Sequence, residues 1–274
     1  LARLVTGDDA RPTTEELAWI ADAVDASYTG HPEHRRLRYF AELFRGRSRA
    51  SSSDIAARLA PWHSDGEHAW LFDNAIDGLD LSADTIGFDM TAILDIPALR
   101  SPAMLYLFHR VEERLDGRPT MIVIDEGWKA LDDDVFVARV RDWEKTIRKR
   151  GGIIGFATQS ASDALQSRIA SAIIEQAGTQ IFMANAAAQA SDYMDGFGLT
   201  AQEFELVRTI PDSARAFLVK HGNDSVVVRL NLASEPELLT VLSGRERTVR
   251  LLDGIRALVG DDPAAWLPRL LAAA

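Results

Sequence analysis

The stretch Met121-Ile122-Val123-Ile124-Asp125-Glu126 decides the fold. Four consecutive apolar residues ending in two carboxylates have the form of a short strand buried on both faces of a parallel sheet. Such a strand delivers its acids to the carboxyl edge of the sheet, where open α/β folds bind their ligands. This is the shape of a Walker B strand. Asp125 suits Mg²⁺, held through water and bridging nucleotide phosphates. Glu126, pointing to the other face, suits a general base that polarises an attacking water. Taken alone, the same six residues also fit a strand that ends in a solvated acidic turn.

Downstream lies a second strand of the same kind, Ile153-Ile154-Gly155-Phe156-Ala157, which runs into Thr158-Gln159-Ser160. A strand tip beside Asp125 and Glu126 can bring the Gln159 amide to a γ-phosphate or to the attacking water. Ser160 or Ser162 can at the same time cap the next helix. Strand, Asp-Glu, helix, strand and Thr-Gln-Ser together point to a nucleotide-hydrolase fold.

The flanking sequence alternates in the same way. Helices are predicted over Pro102 to Leu115, about Asp133 to Lys149, and Ala161 to Gln176. A strand is predicted over Thr179 to Met183, with helices near 187–195 and 200–208. A hairpin follows, with arms Ala214 to Lys220 and Ser225 to Asn231 around Gly222-Asn223. Helices near 235–242, 246–258 and 263–271 close the chain. Two further short strands are expected, Ala69-Trp70-Leu71-Phe72 and Ile86-Gly87-Phe88-Asp89-Met90. The alternation predicts an α/β layered domain with a largely parallel sheet flanked by helices.

Residues 1–60 read as helical instead. Thr13 with Glu15 and Glu16 has the form of a helix N-cap. Leu17, Ile20, Ala21 and Val24 recur at helical spacing, as do Leu37, Phe40, Ala41 and Phe44. Ser51-Ser52-Ser53-Asp54 caps a short helix carrying Ile55 and Leu59, and Arg45-Gly46-Arg47-Ser48-Arg49 forms a basic loop.

Composition narrows the function classes. Across 274 residues, 47% hydrophobic and 26% charged residues are ordinary for a globular protein. With 30 Lys and Arg against 41 Asp and Glu, the net charge of −11 argues against broad DNA coating. The absence of cysteine excludes disulfides, thiolate metal sites and a Cys nucleophile. No apolar run approaches the ~20 residues that span a bilayer. The chain starts Leu1-Ala2-Arg3, without Met or a signal-peptide core, and is expected to be an internal cut from a longer protein. A phosphate-binding loop requires G-x-x-x-x-G-K-[ST]. No Gly-Lys dipeptide occurs, and the nearest approach, Gly46-Arg47-Ser48, has Ala41 where the first Gly should stand.

Other motifs carry less. Arg148-Lys149-Arg150-Gly151 has the form of a basic helix end with a Gly cap. Arg215 and Arg245 are candidate arginine fingers toward a neighbour's nucleotide, set against ordinary surface ion pairing. Neither His31 with His34 nor His63 with His68 has further ligands at zinc-like spacing. Asp132-Asp133-Asp134 suits the start of a helix, and Trp19, Trp128 and Trp143 suit core positions.

In combination these stretches resemble the large VirB-type motor ATPase of type IV secretion and conjugation systems. The resemblance rests on Gly66 to Asn74, Gly87 to Thr91, Tyr106 to Arg110, Ile124 to Leu131, Trp143 to Lys149, Ala157 to Ser160, Phe197 to Thr200, Arg215 to Lys220 and Trp266-Leu267-Pro268. It implies a RecA-like P-loop NTPase core over residues 66–274 and an N-terminal helical subdomain over residues 1–65. It implies Walker B carboxylates at Asp125 and Glu126, a glutamine sensor at Gln159 and an Arg-containing motif at Arg215. Asp125 and Thr158 are then the nucleotide-binding residues, with Asp125 on the metal. The family's phosphate-binding loop lies upstream of everything here.

The resulting expectation is the C-terminal segment of an ATP-hydrolysing motor that energises assembly of, or substrate transfer through, a bacterial type IV secretion system. ATP and Mg²⁺ belong to the intact protein, and the isolated chain is expected to be inactive. Expected partners are other secretion components and further copies of the chain, with DNA not favoured. The expected location is cytoplasmic, at the inner membrane and attached through partners. The rivals are a DNA-translocating, coupling-protein-like ATPase and a non-hydrolysing docking or assembly module.

Overall fold

The computed structural model describes residues 1–6, 12–45, 55–126, 134–167 and 170–273, without the side chains of 134–136, 144 and 145. The basic loop beyond Arg45, the cap at 51–54, Trp128 with the rest of 127–131, and the Asp132-Asp133 pair lie outside the described residues. Packing divides the chain into two compact units, Leu1–Gln176 and Ala177–Ala274.

The first unit opens with four helices, α1 (Ala2–Thr6), α2 (Thr14–Thr29), α3 (Leu37–Glu42) and α4 (Ile55–Leu59). At the start of α2, the Glu16 amide donates to Thr13 Oγ1 (3.1 Å) and the Thr13 amide donates to Glu16 Oε2 (2.7 Å). This is the expected capping box, two orphan donors satisfied reciprocally. Of the expected α2 stripe, Ile20 is buried and Val24 packs partly buried on the core, while Leu17 and Ala21 face solvent. Glu16, Ile20 and Ala23 are buried, and Leu17 is 46% exposed. The Glu16 carboxylate, on the buried face, also takes Arg58 of α4. Leu37, Phe40, Ala41 and Phe44 are all buried, joining Ile20, Ile55, Leu59 and Trp62 in one core.

Between this core and the sheet, two strand expectations fail. Ala69–Phe72 is a single helical turn, α5. A four-residue apolar run does not by itself distinguish strand from helix. Here the turn before it decides: His68 N donates to Pro61 O, and a Cβ at Gly66 would lie 2.4 Å from the Ala60 and Pro61 carbonyl oxygens. Residues 86–90 are irregular. Gly87 and Asp89 are poor strand formers, and Asp89 Oδ1 accepts from Thr91 N at 3.0 Å, leading into α6 (Thr91–Leu94).

Helix α7 (Pro97–Arg114) starts earlier than expected, with Pro97 in its first turn and Pro102 inside it. Strand β1 (Thr120–Asp125), helix α8 (Asp134–Thr146) and strand β2 (Gly152–Ala157) follow. The strands pair in parallel from Thr120↔Gly152 to Asp125↔Ala157. Phe108 of α7 and Val140 and Trp143 of α8 pack on Ile122, Ile124, Ile154 and Phe156. The opposite face is open: Met121 is 70% and Ile153 65% exposed, so burial on both faces does not hold among the described residues. The expected long helix after β2 is two pieces, α9 (Ala161–Gln166) and α10 (Ala170–Gln176).

In the second unit, β3 (Thr179–Met183) is followed by a π-helical turn, Ser191–Gly196, and α11 (Ala201–Thr209). Strands β4 (Ala216–His221) and β5 (Asp224–Arg229) form the expected hairpin, with Gly222 at φ +58°. β3 pairs with β4 antiparallel, Ile181 opposite Val219, so the parallel part of the fold is β1 with β2. Phe182, Tyr193, Val207 and Leu218 are buried here. Helices α12 (Pro236–Leu242), α13 (Glu246–Val259) and α14 (Pro263–Ala273) end the chain. Helices packed on one face of a parallel pair give the first unit an α/β layer.

Candidate functional site

The parallel register sets Asp125 beside Ala157, and Glu126 N donates to Ala157 O at 3.0 Å, one step past the strand. There the chain breaks its alternation. Glu126 has φ +50°, in the left-handed region, shared by Ser64 and Arg215 among the described non-glycine residues. A left-handed residue redirects its side chain relative to the strand before it. The Glu126 carboxylate is thereby carried onto the tip of β2. Gln159 N donates to Glu126 Oε1 at 2.7 Å, and Thr158 Oγ1 lies 3.4 Å from Glu126 Oε2.

That tip is itself built by local hydrogen bonds. Ser160 N donates to Thr158 Oγ1 at 3.1 Å, and the Thr158 hydroxyl also faces Ser160 O at 3.2 Å. Ser160 Oγ accepts from Asp163 N at 3.2 Å and caps α9, as the sequence predicts. Ser162 Oγ lies 3.1 Å from Ser160 Oγ. Asp125 and Gln159 are exposed, while Glu126 and Thr158 are half-buried. The site thus offers an exposed Asp125, a held carboxylate on Glu126 and an exposed Gln159. A single exposed carboxylate suits Mg²⁺, which keeps several waters and takes one or two protein acids.

Asp125, Glu126, Thr158 and Gln159 are therefore brought together. Arg215 belongs to the second unit and is not on a strand. It ends a short turn, Asp212–Ala214, with φ +50°, and β4 begins at Ala216. Arg245 stands at the start of α13. Arg148, Lys149 and Arg150 are exposed and end at a left-handed Gly151 cap, at the amino-terminal end of β2 and away from Glu126. Among the described residues no group of three or more His, Asp or Glu side chains is placed to hold a metal. Sequence reasoning missed the left-handed turn at Glu126, for which a non-glycine residue carries no signal. It also missed the Gln159 backbone as a partner of Glu126.

The chain is similar to known proteins. The chain is 44% identical over 267 residues to the type IV secretion system protein virB4 of Bartonella henselae, covering 97% of this chain and 34% of that protein. It is 37% identical over 274 residues to virB4 of Brucella suis, and 35% identical over 277 residues to the type IV secretion system protein PtlC of Bordetella pertussis. Each comparison covers 97% of this chain and 33% of the relative, so the chain spans about a third of the length of these relatives. The solved structure of VirB4 of Thermoanaerobacter pseudethanolicus superposes with a TM-score of 0.62 at 18% identity, over 84% of this chain and 66% of that one. The model of the TraG P-loop domain matches residues 19–235, and the chain belongs to that family.

Proposed function

We propose that this chain is the Walker B and sensor part of an ATP-hydrolysing motor of a bacterial type IV secretion system, energising assembly or substrate transfer. The observation that carries the reading is the meeting of Asp125, Glu126, Thr158 and Gln159 at one end of the parallel pair. In this reading Asp125 holds Mg²⁺, Glu126 takes a proton from water, and Gln159 reaches the γ-phosphate. When bound, Mg²⁺-ATP supplies the transferable phosphoryl group and the charge neutralisation around it. Arg215 and Thr158 remain candidate contacts to nucleotide.

The phosphate cradle that a P-loop domain requires is not written in these 274 residues. The reading assigns it to another part of the full-length protein. Residues 1–65 are then the helical subdomain and 66–274 the motor part. Partners are other secretion components and further copies of the protein. No described helix is long and apolar enough to cross a membrane, and attachment at the inner membrane from the cytoplasmic side would run through partners.

Complementation tests the reading. A strain lacking the protein should regain secretion from the wild-type gene and not from the Glu126→Gln gene, with both proteins accumulating equally. Secretion restored by Glu126→Gln would favour the non-hydrolysing docking module and sink the motor.

A further inference from the structure

The tip of β2 offers Glu126 more than proximity. The carboxylate is engaged at both oxygens, by the Gln159 amide at 2.7 Å and the Thr158 hydroxyl at 3.4 Å. An L residue enters the left-handed region reluctantly unless its surroundings hold it there. For Glu126 the holding groups are Ala157 O on its own N–H and the Gln159 amide on its carboxylate.

We propose that the tip of β2 is a latch: the backbone N–H of Gln159 and the hydroxyl of Thr158 hold the Glu126 carboxylate, and displacement of Gln159 releases it. This rests on the reading of Glu126 as base and Gln159 as sensor, and it supplies the regulation of that site. The coupling is covalent. The side chain that would reach a phosphate and the amide that holds Glu126 belong to the same residue. A backbone shift at Gln159 that carries its side chain toward a ligand would move the flanking peptide plane with it, and a 2.7 Å hydrogen bond tolerates little misalignment.

Release leaves no donor stranded. Gln159 is exposed, so water can take its amide. The Thr158 proton already faces a second acceptor, Ser160 O at 3.2 Å, slightly nearer than Glu126 Oε2. The held and released arrangements therefore keep similar hydrogen-bond inventories, which is what a switchable element needs. Thr158 is a positioning residue in this scheme, acting through Glu126.

Amide hydrogen exchange at Gln159 in the full-length protein tests the hold. Without nucleotide, Glu126→Ala should speed exchange roughly tenfold, as expected for loss of a charge-assisted hydrogen bond. Glu126→Gln retains a carbonyl acceptor and should change it much less. Adding Mg²⁺ with a non-hydrolysable ATP analogue should speed exchange in wild type and add nothing in Glu126→Ala. Unchanged exchange in nucleotide-free Glu126→Ala, or unchanged or slower exchange in wild type with bound analogue, would overturn the latch.

Kinetics test the direction. At saturating nucleotide, Thr158→Val should raise the single-turnover hydrolysis rate about threefold, and Thr158→Ser should restore the wild-type rate. A lower or unchanged rate in Thr158→Val, or equal effects of Val and Ser, would overturn it. If the full-length protein bound no nucleotide, the motor reading and the coupling would both fall, while the nucleotide-free comparison would still decide whether the hold exists.

Discussion

Lys220 Nζ on β4 lies 2.9 Å from Glu203 Oε2 on α11, and both side chains are largely shielded from solvent. Glu203 also accepts from the Thr200 amide at 2.7 Å, in a capping box whose other half is Glu203 N to Thr200 Oγ1. Lys220 reaches Gly198 O at 3.0 Å as well. One carboxylate therefore ties the start of α11 to the middle of the second unit's sheet. Burial by itself would raise the Glu203 pKa. The hydrogen bonds from Lys220, Thr200 and Ser225 outweigh it and hold the value at about 2, against an ordinary 4.5.

The sign of the pH effect follows. A carboxylate depressed in the folded state contributes stability that is complete above its unfolded value and lost as pH falls toward the folded one. Stability should therefore decline from about pH 4.5 toward pH 2, with Glu203 as one contributor. Glu203→Gln should flatten part of that decline and lower stability near pH 7 by about 3 kcal/mol, the cost of leaving one partner of a buried pair alone. Urea unfolding of both proteins across this range, read on the second unit, checks it. An unchanged acid profile in the variant would remove the assignment.

In the first unit the comparable anchor is Asp73. Its side chain is 1% exposed and accepts from Arg38 Nε at 2.8 Å, Ser64 N at 2.9 Å and Arg38 N at 3.2 Å. Burial opposes ionisation, but these donors win and its pKa lies below the ordinary carboxylate range. Asp73→Asn should cost about 2–4 kcal/mol, because an amide can satisfy only some of those donors and leaves Arg38 unpaired. Gly66→Ala should cost at least as much, since its Cβ would meet backbone oxygens that cannot swing aside. Thermal melts of the two variants decide it. A Gly66→Ala protein as stable as wild type would mean the turn can open.

The two capping boxes give a smaller, more local test. Thr13→Ala and Thr200→Ala each remove the side-chain acceptor for an amide three residues on. Each should cost about 1 kcal/mol, and Thr→Ser at the same positions very little. Because the boxes lie in different compact units, their effects should add when combined. Denaturant midpoints of the singles and the double provide the measurement.

What the sequence makes legible follows from what each signal measures. The β1–β2 pair and the Asp-Glu tip were legible because an apolar run ending in acids constrains both burial and polarity at once. The hairpin was legible because Gly222 supplies the positive φ its turn requires. The direction of β3 was not, since a run such as Thr179–Met183 records that it is a strand and not which neighbour it meets. Ala69–Phe72 misled because four apolar residues fit either period, and the deciding contact lies at Gly66. Burial of Met121 and Ile153 misled for another reason: a run suited to two covered faces looks the same whether or not both are covered within the chain. At the site, Glu126, Thr158 and Gln159 could be named as a group from their strand ends. Their hydrogen bonds could not, because they depend on a left-handed glutamate that composition does not mark.

The last prediction concerns chemistry. With Glu126 as the base, Glu126→Gln in the full-length protein should lower ATP turnover by about 10²–10⁴ while leaving nucleotide affinity nearly unchanged. With Asp125 on the metal, Asp125→Asn should instead raise the Mg²⁺ concentration needed for half-maximal turnover. The split between the two separates a proton-moving group from a metal-holding one, although they are neighbours in sequence. The 274-residue chain by itself should turn over no ATP, because no Gly-Lys motif supplies a phosphate nest. Turnover by that chain, abolished by Glu126→Gln, would mean that its own residues cradle the phosphates. A magnesium titration of the three full-length proteins, with turnover and binding read in parallel, distinguishes these outcomes. Equal turnover in wild type and Glu126→Gln would remove Glu126 from the chemistry.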